Sequence, residues 1–183
     1  MLKYYYLTPF EQYVDNLLFS VGVNRPDQLK IDVFALKFDV WVHYLDMGSR
    51  AIERNGLKSI VIDSRLGPRE QWEDFLHELC HLLRHAGNQI CMKKSFREKQ
   101  EAEAKLFTMY AGLPISMLRQ IEWPKSNSDS EILELWTEKF GITFRLAADR
   151  LQQIKRRIHS SLFQNSFKLR DWNKTVFHQE MIW

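Results

Sequence analysis

The chain has little cysteine: two residues, Cys80 and Cys91, among 183. Two are too few for the disulfide framework of a secreted domain, so both are expected to be reduced thiols. It has no apolar run approaching the roughly 18 residues that a membrane-spanning helix needs. Near the start, Thr8, Pro9, Glu11 and Gln12 interrupt any signal-type apolar segment, so the expected location is cytoplasmic, without membrane contact. Repeats and low-complexity tracts are absent, which argues against solenoids and long disordered stretches. Charge of one sign is not in excess either: 26 Lys+Arg against 23 Asp+Glu leave +3 at pH 7, which by itself implies nothing about nucleic acid.

What is present is an ordinary globular composition, 45% apolar and 27% charged, in a length that suits one domain with at most a small appendage. Thr8 and Glu11 form a capping-box pattern opening a helix toward Val21, with Gly22 as its stop. A second helix is expected over DQLKIDVFALKF. FDVWVHYLD alternates as a strand does, and AIERNGLKSIVID reads as two strands about the Asn55-Gly56 turn, giving a small, mostly antiparallel sheet. Gly67-Pro68 opens a long helix whose apolar positions, Trp72, Phe75, Leu76, Leu79, Leu82 and Leu83, have helical spacing; Gly87 is its expected end. After a loop over 88–96 comes a helix over REKQEAEAKLFTMYAG. Residues 123–130, WPKSNSDS, read as a linker, and beyond them lie a helix, a turn at Gly141 and another helix. Arg150, Lys155, Arg156 and Arg157 cluster there; a solvated face is favoured over DNA contact.

The chemistry concentrates in FLHELCHLLRHAGNQ. Histidines four apart differ by about 40° around a helix, so His77 and His81 project from one face and can hold one ion. Neutral imidazole is a good zinc donor, and two helical ligands fix two corners of a tetrahedron. Glu78, beside the first histidine, is placed to reach a hydrolytic water, taking its proton and later protonating the leaving amine. His77-Glu78-Leu79-Cys80-His81 is the HExxH pattern of zinc metalloproteases. Both histidines fall within an apolar run, where unpaired imidazoles would be costly to bury. A third ligand is expected on the following helix. Glu101 and Glu103 differ by about 200° and cannot both face the metal; with Ala104, Phe107, Met109 and Tyr110 marking the buried side, Glu101 falls nearer to it, and Glu103 stays as the alternative.

These residues resemble the ImmA/IrrE metallopeptidases, cytoplasmic zinc proteins of bacteria and their mobile elements. The likeness is carried by SIVID (residues 59–63), FLHELCHLLRH and QEAEAKLFTMYAGLP (residues 100–114). The family's second motif has a glutamate thirteen residues before a proline. Counting back from Pro114 gives Glu101, which the resemblance therefore selects as ligand. Cys80 stands where the family has glycine, and Lys105 where it often has asparagine. His85 matches a frequent family histidine, with two roles open: backing a ligand or holding a developing oxyanion.

The resemblance implies an α+β, zincin-like fold, mainly helical, with a C-terminal helix-turn-helix-like pair. With the linker at 123–130, the chain is expected to divide into a metallopeptidase domain over 1–122, a helical module over 131–158 that resembles the family's and packs on it, and an extension over 159–183 whose mixed composition assigns no structure. It implies a zinc-dependent endopeptidase with Zn2+ on His77, His81 and Glu101, and Glu78 as catalytic base. Its substrate would be a partner protein, a helix-turn-helix repressor of a prophage or mobile element. The alternative is a non-catalytic DNA- or protein-binding regulator with a structural or vestigial zinc site.

Overall fold

The computed structural model describes residues 2–85, 93–126 and 128–179, with side chains through residue 163. Gly87, Cys91 and the extension beyond residue 163 thus fall outside the described positions or side chains. Helix α1 (Pro9–Ser20) begins as expected, with Thr8 Oγ1 accepting the Glu11 amide at 3.2 Å. Glu11 does not return the bond to Thr8. It turns inward, 1% exposed, and accepts hydrogen bonds from Tyr5, Arg150 and Arg157. A 3-10 turn at Pro26–Gln28 precedes α2 (Ile31–Phe38), which stops on Asp39 in the left-handed region.

Three strands follow, β1 (Val40–Leu45), β2 (Arg50–Arg54) and β3 (Leu57–Asp63), in spatial order β1-β3-β2. Asn55 and Gly56 both adopt positive φ, as a tight hairpin turn requires, and β2 therefore runs antiparallel to β3. The β1 pairing corrects the mostly antiparallel expectation: β1 runs parallel to β3, so the sheet is mixed. The cause is the apolar run Ile60-Val61-Ile62. It makes β3 the buried strand with partners on both sides, and the chain crosses from one edge to the other through residues 46–49. Alternation within a strand fixes its faces but not its neighbours.

Helix α3 (Pro68–Arg84) starts with Pro68 in its first turn, where the Glu70 carboxylate accepts the Gly67 amide at 2.9 Å. Its apolar side, Phe75, Leu76 and Leu79, is fully buried. Each such side chain contributes about 1.5–3 kcal/mol, so α3 is a rigid carrier. Helix α4 (Lys94–Gly112) begins within the loop expected over 88–96 and packs along α3, with Ala104, Phe107 and Tyr110 among its buried residues. A single turn, α5 (Ile115–Leu118), leads toward α6 (Asp129–Phe140) and, past Gly141 with positive φ, α7 (Phe144–Gln179). One continuous buried cluster runs from Tyr5 to Ile154 and includes Trp136, Leu151 and Ile154 of these last helices. The expected solvated basic face is corrected for two of its members. Arg150 is fully buried and Arg157 partly so, both bound to Glu11, while Lys155 pairs with Asp129.

Candidate metal centre

Helix periodicity alone brings His77 and His81 together; the packing of α4 on α3 brings the third group. His77 Nε2 lies 3.2 Å from His81 Nε2 and 3.2 Å from Glu101 Oε2, and His81 Nε2 lies 3.4 Å from Glu101 Oε1. These three residues form the group of candidate metal ligands among the described residues. A tetrahedron with ligand bonds of about 2.0–2.1 Å has edges of about 3.3 Å. The three separations match such edges, and two imidazoles with one carboxylate are a donor set that suits zinc. The residues present therefore fit a divalent ion.

Electrostatics favour the same use. Burial, then the neighbouring His77, push His81 down to about 4, so its ring is neutral and has a lone pair to give at ordinary pH. Glu78 is pushed the other way, up to about 7, chiefly by burial; the Ala51 amide, donating to Glu78 Oε2 at 2.7 Å, opposes this, and Asp74 and Glu101 add to it. A carboxyl near 7 is matched to taking and giving protons at neutral pH. Burial pushes the Cys80 thiol up to about 12, which keeps it protonated and leaves it as a core residue of α3.

The other sequence candidates fall in different places. Glu103 faces away from the two ligand histidines and is held by Arg84 Nε, whose guanidinium also lies over the Phe10 and Tyr13 rings. His85 touches the opposite nitrogen of His81, Nδ1 to Nδ1 at 2.8 Å. Lys105 is exposed.

Sequence reasoning missed the β2 side of the site. Ser49 Oγ donates to Asp74 Oδ2 at 2.6 Å and accepts the Asp63 amide at 3.0 Å, fastening the start of β2 to α3 one turn before Glu78. That bridge sets the Ala51 amide against the Glu78 carboxylate. A main-chain donor leaves no residue-type signal, so only the strand order could have indicated it.

The chain is 40% identical over 159 residues to the phage-like element PBSX protein XkdA of Bacillus subtilis (strain 168), covering 87% of this chain and 79% of that protein. It is 29% identical over 156 residues to the protein described as uncharacterized protein YqaB of the same organism, covering 85% and 90% respectively. In fold it is similar to a solved Mycobacterium tuberculosis transcriptional regulator, with TM-score 0.55 at 15% identity. That likeness covers 80% of this chain, which spans 56% of the other. The profile of the family described as Peptidase_M78, IrrE N-terminal-like domain, matches residues 27–152, from the approach to α2 through the first turns of α7 and so across the whole His77, His81 and Glu101 cluster, and the chain belongs to that metallopeptidase family.

Proposed function

We propose that the chain is a zinc-dependent endopeptidase that cleaves a protein partner in the cytoplasm, and that the partner is a helix-turn-helix repressor of a prophage or mobile element. The observation that carries the reading is the spacing of His77, His81 and Glu101, whose donor atoms stand 3.2–3.4 Å apart with Glu78 on the same helix turn. The 40% identity to a protein of a phage-like element supports the genetic setting. Among the described residues no helix is long and apolar enough to cross a membrane.

In this reading His77, His81 and Glu101 would hold the ion, which when bound would supply Lewis acidity at the site. Glu78 accepts the water's proton while its other electrostatic tie, the Ala51 amide, keeps the carboxylate aimed; it then delivers the proton to the leaving nitrogen. The β2 edge aligns an extended substrate by main-chain pairing. A purely DNA-binding role has less to work with, since Arg150 and Arg157 are spent on Glu11.

The test is co-expression with a candidate helix-turn-helix repressor drawn from the same prophage or mobile element. Wild type should cleave it in a zinc-dependent manner, and Glu78→Gln should keep the ion but not the cleavage. Full proteolysis by that variant would refute the role assigned to Glu78.

A further inference from the structure

His85 closes the last turn of α3. Its amide donates to the His81 carbonyl at 3.1 Å, but its φ of −112° and ψ of 94° leave the helix, so its side chain swings behind His81 rather than continuing the stripe. The two rings have centroids 4.9 Å apart and Nδ1 atoms 2.8 Å apart. On the other side of the His81 ring, Nε2 faces His77 and Glu101. His85 therefore stands on the far side of a ligand ring from the ion, where it cannot touch an oxygen of the reacting carbonyl.

Two nitrogens at 2.8 Å share one proton, and only one placement suits a metal ligand. If His81 offers the Nε2 lone pair to the ion, its proton is on Nδ1 and points at His85 Nδ1, which must be the acceptor. The single proton of a neutral His85 is then on Nε2. The surroundings agree with that tautomer. Among the described residues His85 Nε2 is buried with no hydrogen-bond partner, and Glu103 Oε1 is 3.8 Å away. Both His85 and Glu103 border a cavity of about 230 Å³, together with Gln100, whose buried Oε1 also lacks a partner among the described residues. Two acceptors thus lie across a space wide enough for a bridging water. The reverse tautomer would place a proton on His81 Nε2, in the space between His77 and Glu101 where the ion belongs.

We infer that His85 is a positioning residue for the metal centre: it accepts the Nδ1 hydrogen of His81 and so fixes the lone pair of that ring toward the ion. This rests on the zinc reading above. Metal-ligating histidines commonly give their second N–H to a carboxylate or carbonyl, and losing that partner typically costs about 10–100-fold in metal affinity. Here an imidazole takes the place of the carboxylate, which makes the acceptor neutral and dependent on its own tautomer.

The experiment measures Zn2+ affinity of the full chain by chelator competition, and the visible spectrum of the Co2+-loaded site, for wild type, His85→Leu and His85→Asn. Circular dichroism confirms folding of each. Asparagine presents an oxygen close to where His85 Nδ1 stands; leucine fills the space without an acceptor. The expected result is about a 10–100-fold loss for His85→Leu with an altered Co2+ spectrum, and near-wild-type values for His85→Asn. Unchanged affinity in His85→Leu, or equal losses in both variants, would overturn the inference while leaving the metal site standing. Failure of wild type to bind one equivalent of Zn2+ would overturn the zinc reading, and this inference with it.

Discussion

Arg150 Nη2 lies 2.5 Å from Glu11 Oε1, and both side chains are essentially removed from solvent. Arg157 Nη1 reaches the other oxygen at 2.5 Å, and Tyr5 Oη donates to the same carboxylate. One buried carboxylate of α1 thereby ties α7 to the start of the chain. Removing only the anion leaves a buried guanidinium uncompensated, which costs far more than the pair contributes net. Glu11→Ala is expected to lower unfolding free energy by about 3–5 kcal/mol, read from urea midpoints. The double variant Glu11→Leu with Arg150→Met should recover much of that loss. A single variant within about 0.5 kcal/mol of wild type would mean that the network is not what fastens α7.

Ala51 on β2 gives its amide to Glu78 and not to the β3 ladder at that atom. Proline there removes that one donor, a change edge strands tolerate. A hydrogen bond to a charged group is worth about 1.5–3 kcal/mol, so the Glu78 proton should be held roughly tenfold or more tightly in Ala51→Pro. The acid limb of kcat/KM should move to higher pH while Zn2+ affinity stays unchanged. An unshifted pH profile at reduced activity would point to a distorted strand instead.

The metal-free chain should show two opposed linkages. Glu78 is raised from 4.5 to about 7, so its contribution to stability is present at low pH and is lost as pH rises through that interval. His81 is lowered from 6.5 to about 4, so its contribution is present above 6.5 and is lost as pH falls toward 4. Each corresponds to about 3 kcal/mol, and over pH 4.5–6.5 they nearly cancel. Glu78→Gln removes one of them. In EDTA the variant should gain stability relative to wild type as pH rises from 4.5 to 7. Parallel urea midpoints for the two chains between pH 5 and 8 would contradict the assignment.

Much of this site is legible in the sequence because helix geometry is local. A spacing of four puts His77 and His81 on one face whatever surrounds them, and the apolar positions of α3 and α4 state which sides are buried. Glu101 is a half-step harder: periodicity ranks it above Glu103, but only the packing of α4 on α3 brings its carboxylate to 3.2 Å from His77. What escapes sequence reading is non-local. The parallel pairing of β1 depends on β3 taking the middle of the sheet, and the Ala51 amide reaches Glu78 only because β2 is on that edge. Arg150 and Arg157 look like solvated charges until Glu11, 139 residues from the first and 146 from the second, is folded beneath them. Charge patterning along one helix carries no information about a partner so distant in sequence.

Gly112, the last residue of α4, is a contact point between that helix, α7 and the helix of the histidines. A Cβ built there would meet Leu146 Cδ2 at 3.3 Å, and Ile142 Cγ2 and Leu76 Cδ1 at 3.5 Å. Alanine needs only a few tenths of an ångström from a leucine end, and its better helix propensity, about 1 kcal/mol, offsets the crowding. Gly112→Ala should therefore be close to neutral. Gly112→Val overpacks the junction and should cost about 1–3 kcal/mol. Leu76 directly precedes His77, so the displaced side chain pushes on the metal centre as well as on the core. Ile154→Ala, a cavity variant in α7 costing about 2–5 kcal/mol, is the control for destabilisation alone. Gly112→Val should lose Zn2+ affinity by more than that control does; equal affinities in the two variants would show that strain at this junction does not reach His77.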